Sequence, residues 1–98
     1  MNPGLGVGGY CLTKDPKFLS FSSKYILKSN LKFPIIDRSM SINSKMVNTS
    51  ISFIKKKIKT FKNKKILQIG ISYKEDVDDI RFSPSAELAF KLKKMGAI

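Results

Sequence analysis

Apolar residues recur at helical spacing in three stretches of the chain and run almost unbroken in a fourth. In the first stretch, Phe18, Leu19, Phe21, Tyr25, Ile26 and Leu27 predict one face of a helix from about Pro16 to Lys28. Asp15 as N-cap and Pro16 at the first helical position form its start signal, and Ser29-Asn30 its end. A connector, Leu31 to Pro34, follows. In the second stretch, Ile35, Ile36, Met40, Ile42, Met46, Val47, Ile51, Ile54, Ile58 and Phe61 lie mostly three or four apart. They predict a long helix from about Ile35 to Phe61, with Phe53 off the stripe. A helix of that length needs something to lie against, either the rest of the chain or a second copy.

Lys62-Asn63-Lys64-Lys65 is a polar break and divides the chain into 1–62 and 63–98. The run Ile66 to Ile71 predicts a short buried strand, and 72–82 a loop. Ser83 as N-cap, Pro84 behind it and Glu87 in the first turn open another helix. Ala86, Leu88, Ala89, Phe90, Leu92 and Met95 are its apolar residues, and Gly96 stops it. The fold class expected is therefore mainly α with a truncated α/β piece: a glycine-rich loop, two helices, the second long, then a β-loop-α unit. In open α/β sheets ligands sit at the carboxyl ends of strands, which is where Lys74 and Arg81 fall.

Charge adds a second signal. Nineteen Lys and Arg face seven Asp and Glu, a net charge of +12 over 98 residues. All but Arg38 and Arg81 are lysine, which meets a phosphate as a point charge rather than a fork. An anionic partner such as nucleic acid is one reading. The basic residues are spread along the chain, however, and Lys55-Lys56-Lys57 falls near a helix end, where cations are favoured anyway. A solvated lysine-rich surface is the preferred reading, with no nucleic acid and no membrane as partner. No apolar run reaches the roughly 18 residues of a membrane span, and no signal peptide is visible. The single cysteine, Cys11, closes no internal disulfide, which fits a reducing cytoplasm. The absence of histidine removes His-based catalysis and His-ligated zinc. Glu75, Asp76, Asp78 and Asp79 lack the glycine and bidentate Glu of a calcium loop. They read as a polar turn with one carboxylate pairing Arg81, and no metal is expected.

The candidate chemistry lies at the start of the chain. Asn2-Pro3-Gly4-Leu5-Gly6-Val7-Gly8-Gly9-Tyr10-Cys11-Leu12-Thr13-Lys14-Asp15-Pro16 places four glycines ahead of the cysteine, then an amine and a carboxylate. Glycine lets a backbone wrap closely round a ligand, and successive N–H groups form an anion site. A thiol beside such a site is suited to covalent chemistry on a carbonyl, since a nearby ammonium favours the reactive thiolate. Asp15 is placed to move a proton. The bland alternatives are a small buried cysteine, a turn, a surface lysine and a helix cap. Gly4, Gly6 and Gly9 also spell G-x-G-x-x-G, but no strand precedes them, so the dinucleotide fingerprint is rejected.

NPGLGVGGYCLTKDP resembles the active-site segment of the UDP-glucose/GDP-mannose dehydrogenase family, the nucleotide-sugar dehydrogenases. Gly70-Ile71-Ser72-Tyr73-Lys74-Glu75-Asp76-Val77-Asp78-Asp79-Ile80-Arg81-Phe82-Ser83-Pro84 resembles the opening of the same family's C-terminal domain, where Asp-x-Arg-x-Ser-Pro follows a strand and a Lys. The resemblance implies that 1–62 is part of the central, dimerising domain and that 63–98 begins an incomplete Rossmann-like UDP-sugar-binding domain. It implies oxidation of C6 of a UDP-sugar from alcohol to acid with two NAD⁺, through a thiohemiacetal and thioester on Cys11. Asp15 is then the acid/base group. Asn2, Pro3, Gly4, Gly8 and Lys74 line the substrate, and Lys14 and Arg81 contact NAD. A homodimer through the long helix is implied too. Two departures stand out: Thr13 replaces the family's usual proline, and Val47 stands where a proline often follows Asn-x-x-Met. The expectation is a piece of a longer enzyme, cut at both ends and inactive alone. Its rivals are a small basic nucleic-acid-binding protein and a dimerising protein without chemistry.

Overall fold

A computed structural model describes residues 4–98 of the chain. Its elements are α1 (Tyr10–Lys14), α2 (Pro16–Phe21), a π-helical turn (Ser22–Ile26), α3 (Pro34–Ile58) and α4 (Pro84–Lys94). No strand occurs among the described residues.

The 25-residue α3 is the axis of the molecule, about 37 Å long at 1.5 Å per residue. Pro34 opens it, Asp37 lies in its first turn and Lys55, Lys56 and Lys57 in its last. All three features suit a helix dipole and its unpaired ends. It passes through Val47 without a break and stops where Lys59 turns left-handed at φ 56°. Phe61 then folds back, and its ring joins Val47, Ile51 and Leu92 in the core, with Ile54, Ile58, Leu88 and Met95 packed around them. Deep burial of four side chains is a small core. The radius of gyration, 16.7 Å, is correspondingly larger than the roughly 13 Å of a compact domain this long.

The two ends of α4 follow local chemistry. Ser83 accepts the N–H of Ala86 at 3.3 Å, and Pro84 occupies the first turn. At the other end Gly96 is left-handed at φ 87°. Its N–H reaches the Lys93 carbonyl at 3.0 Å while the Ala97 N–H reaches Leu92 at 3.1 Å. That pair of bonds is the Schellman closure, and Ala97 packs against the same core as Leu92.

Two expectations fail and a third holds in altered form. The stretch 66–71 is not a buried strand: the side chains of Leu67 and Ile69 are 87% and 91% exposed. Ile66 donates to the Ile98 carbonyl at 2.9 Å and Ile98 to the Lys64 carbonyl at 2.8 Å. Those bonds have the pattern of one step of a parallel ladder, but no backbone ladder continues along 67–71 among the described residues, which are tied only through the side chains of Gln68 and Ser83, and a strand exists only by pairing. The helix expected over 16–28 is present from Pro16 to Ile26, but it changes from α to π at Ser22, and α2 buries none of its residues. Its apolar side chains Phe18, Leu19 and Phe21 are each about half exposed. Finally, Asp15 is no N-cap: its backbone is helical (φ −61°, ψ −33°) and its side chain caps nothing. It sits at the joint of α1 and α2, because the stretch expected as loop already turns helical at Tyr10.

Candidate active site

Cys11 is the second residue of α1, and its side chain is exposed. The turn that carries it starts from Gly9, whose backbone (φ 82°, ψ 175°) is open to glycine but strained for other residues. Thr13 stabilises the start by donating its hydroxyl to the Gly9 carbonyl at 2.6 Å. The Asp15 N–H donates to the Cys11 carbonyl at 2.8 Å and closes the turn. The Thr13 hydroxyl and the Asp15 N–H thus tie the turn at both ends.

The glycine backbone is gripped from the second part of the chain. The Gly9 N–H donates to the Phe82 carbonyl at 3.2 Å. A Cβ on Gly8 would stand 2.7 Å from that carbonyl oxygen, 2.7 Å from Tyr73 Cβ and 2.8 Å from Pro84 Cδ. Only glycine fits so close a backbone approach. The Tyr10 ring meets the Phe82 ring edge-on at 5.1 Å, a favoured aromatic geometry. Phe82 itself is held at φ 54°, a conformation that costs a bulky residue about 1–3 kcal/mol. The strained Phe82 therefore meets the loop at Gly9, one residue before Tyr10 and two before Cys11.

Charged side chains surround this joint. The Lys14 ammonium lies 3.5 Å from Asp15 Oδ1, 4.9 Å from the centre of the Tyr10 ring and 5.3 Å from that of Phe18. Arg81 grips Asp79 in a fork, with Nε 3.0 Å from Oδ1 and an amino nitrogen 2.8 Å from Oδ2. The Arg81 side-chain hydrogen bonds, and then its backbone N–H on Oδ1, pull the Asp79 carboxyl below its ordinary range. Asp79 in turn raises the guanidinium, and the phenols of Tyr10 and Tyr73 lie near enough to add to it. The acid paired with Arg81 is thus Asp79. Lys74 is exposed, with its carbonyl held by the Ser72 hydroxyl at 2.9 Å.

Cys11, Lys14 and Asp15 thus share one helical turn and its joint, and Arg81 reaches the same place through its neighbour Phe82. Gly8 faces Tyr73, Phe82 and Pro84 on the side a side chain would occupy, while Gly4 stands in the open. Asn2 and Pro3 lie outside the described residues. A cavity of about 750 Å³ opens behind the turn, lined among others by Thr13, Lys17, Asn43, Ser44, Ile80 and Glu87. No group of three potential metal ligands occurs among the described residues, and no described helix is long and apolar enough to cross a membrane. Sequence reasoning passed over Tyr73, Phe82 and Asn43. Asn43 left a signal: it is a polar residue between Met40 and Val47 on the inward side of α3.

The geometry can be set beside known proteins. UDP-N-acetyl-D-mannosamine dehydrogenase of Campylobacter jejuni is 35% identical over 97 residues, which cover 99% of this chain and 22% of that protein. The crystal structure of an NDP-N-acetyl-D-galactosaminuronic acid dehydrogenase from Methanosarcina mazei superposes with a TM-score of 0.79 and 30% identity, over all of this chain and 22% of that one. GDP-mannose dehydrogenase of Pseudomonas aeruginosa superposes with a TM-score of 0.76 and 32% identity, over all of this chain and 21% of that one. The chain thus spans about a fifth of the length of the relatives it matches. No family model matches it.

Proposed function

Since the chain belongs to the nucleotide-sugar dehydrogenases, we propose that it is the segment of such an enzyme that carries the nucleophile, Cys11, for oxidising the C6 of a UDP-sugar to the acid. The observation that carries this reading is the exposed Cys11 thiol on a turn clamped against the Arg81–Phe82 segment. A nucleophile must reach its substrate and stay within a fraction of an ångström of its place. Exposure supplies the first condition and the Gly9–Phe82 contact the second.

The Cys11 thiolate adds to the C6 aldehyde, forming a C–S bond while the carbonyl oxygen takes a proton. Water later cleaves that C–S bond in the thioester, releasing carboxylic acid and free thiol. Asp15, one turn along the same helical face, delivers and removes these protons. NAD supplies the acceptor for the hydride lost from C6 in each of the two oxidations. The residues present suit such a dinucleotide: the Arg81 side chain is 75% exposed despite its pair with Asp79, and that of Lys14 is half exposed. Both offer cationic donors to phosphate. Lys74 and the backbone from residue 2 to Gly8 serve the UDP-sugar.

Residues 1–62 belong to a central domain and 63–98 to the start of a UDP-sugar-binding domain. Ile35, Ile42 and Phe53 form an exposed stripe on α3. At about 100° per residue they fall on one side of the helix, away from the buried Val47 and Ile51. That stripe supports a homodimer built on α3.

The 98 residues reduce no NAD by themselves, because hydride transfer needs a domain to hold the cofactor. Turnover of NAD and a UDP-sugar by the purified chain would refute this. In the longer enzyme, Cys11→Ala abolishes acid formation; acid production at the parental rate removes Cys11 from the chemistry.

A further inference from the structure

The turn bearing Cys11 is positioned by a side chain that lies 36 residues away in sequence. Asn43 Oδ1 accepts the Val7 N–H at 2.7 Å, and Asn43 Nδ2 donates to the Val7 carbonyl at 2.8 Å. One side-chain amide thus satisfies both polar groups of a single residue, as a neighbouring strand does in an antiparallel ladder. We propose that Asn43 is a positioning residue, which fixes the glycine backbone on α3 and thereby sets where the Cys11 turn begins.

Four features carry the assignment. Asn43 sits within α3, so its own backbone is bonded along the helix and its side chain is free to serve the loop. Four of the six residues 4–9 are glycine, so the segment has few side chains with which to stiffen itself, and its place must come largely from outside. Gly6 is fitted to the clamp, since a Cβ there would stand 3.1 Å from Asn43 Oδ1. Val7 lies two residues before Gly9, the residue that Phe82 and Thr13 hold from the other side. The loop is therefore tied at Val7 to α3 and at Gly9 to the 82–84 segment. Other side chains do not reproduce the clamp. Aspartate keeps the acceptor and sets a second oxygen against the Val7 carbonyl. Leucine supplies neither bond.

That chemistry depends on the clamp rests on the reading of Cys11 as nucleophile; the clamp itself does not. The test begins with amide hydrogen exchange in the 98-residue chain. Asn43→Ala raises exchange at Val7 about tenfold, the equivalent of losing one or two such bonds, and Asn43→Asp, which keeps the acceptor but sets an oxygen against the Val7 carbonyl, raises it by a smaller factor, while amides of α4 keep their parental rates. Below the carboxyl pKa of about 4 the Asp variant regains a donor, and its excess over the parent disappears, whereas the Ala variant keeps its excess. Parental exchange at Val7 in both variants, or an Asp variant indifferent to pH, overturns the clamp. In the full-length enzyme, Asn43→Ala lowers kcat and leaves KM for the sugar unchanged; a parental kcat overturns the positioning role. If Cys11→Ala still makes acid while Val7 answers to Asn43, the reading of Cys11 fails and the clamp stands.

Discussion

Residues 4–9 and residues 66–71 are both irregular stretches of backbone, and they are held in opposite ways. The first is nearly bare of side chains, yet Asn43, Phe82, Tyr73 and Pro84 press on it from two sides. The second is rich in large apolar side chains, yet Leu67 and Ile69 project into solvent. Hydrophobic residues add stability only when a second layer covers them. Glycines can be fixed by backbone hydrogen bonds and close contact alone. The part of the molecule that would do chemistry is thus ordered by backbone capture, and the part that looks most like core is not core.

The sharpest contrast is between two apolar substitutions. Phe61→Ala empties the middle of the cluster of Val47, Ile51 and Leu92 and costs about 3–5 kcal/mol. Leu67→Ala removes a side chain that is already 87% exposed and changes stability by less than about 0.5 kcal/mol. Urea unfolding of the two variants checks both. A large loss from Leu67→Ala would mean that 66–71 is covered in solution and would erase the contrast.

The next largest effect lies in the loop. Gly8→Ala pushes a methyl into the Phe82 carbonyl, Tyr73 and Pro84, and costs about 1–3 kcal/mol as overpacking. It also loosens the Cys11 turn, read as a changed rate of thiol alkylation. Gly4→Ala meets nothing within 4 Å and leaves both measurements at parental values. Equal behaviour of the two variants would show that the loop is not captured.

Ser83 links the two regions, since its hydroxyl donates to the Ile71 carbonyl at 2.6 Å and accepts from Ala86. Ser83→Ala removes a cap and the anchor of the apolar stretch together, at about 1 kcal/mol. Faster exchange in the first turn of α4 reports the cap. Ser83→Thr, which keeps the hydroxyl, restores most of the protection; failure of that rescue would assign the loss to packing instead.

Where structure follows from neighbouring residues, it was legible in the sequence. Ser83-Pro84 and Gly96 mark both ends of α4, and the spacing from Ile35 to Phe61 marks α3, which stops at Ile58, three residues short of the expected end. The acidic turn feeding Arg81 a carboxylate was legible as well, because Asp79 lies two residues away. What depends on distant partners was not. The run 66–71 has a strand's composition, but composition cannot supply the neighbour that makes a strand. The helical turn at Cys11 depends on Gly9 being left-handed, and that in turn on Phe82, 73 residues later in the chain. Asn43 was visible as a polar residue on the inward side of α3, yet its purpose appears only when Val7 is beside it. For the candidate site, the motif singled out Cys11, Lys14 and Asp15, while the side chains packed against the backbone that carries them come from α3 and from 73–84.

The smallest expected effect concerns the Asp79–Arg81 fork, which lies beside Phe82 at the captured end of the comparison. Arg81 holds the Asp79 carboxyl below its ordinary value. A carboxyl whose pKa is depressed on folding adds stability above its unfolded pKa, about 3.9, and loses it as pH falls through the lower, folded value. The fork is exposed, so its contribution is slight and solvent-screened. Its clearest readout is therefore the titration itself: Asp79, followed by carboxyl NMR, ionises at lower pH than in an unstructured peptide. Arg81→Lys replaces the fork with a single point charge and moves the titration back towards the peptide value. An Asp79 that titrates at the peptide value in the parent chain would show that the fork is open in solution, leaving Arg81 free and Phe82 held by the Gly9 hydrogen bond and the Tyr10 ring alone.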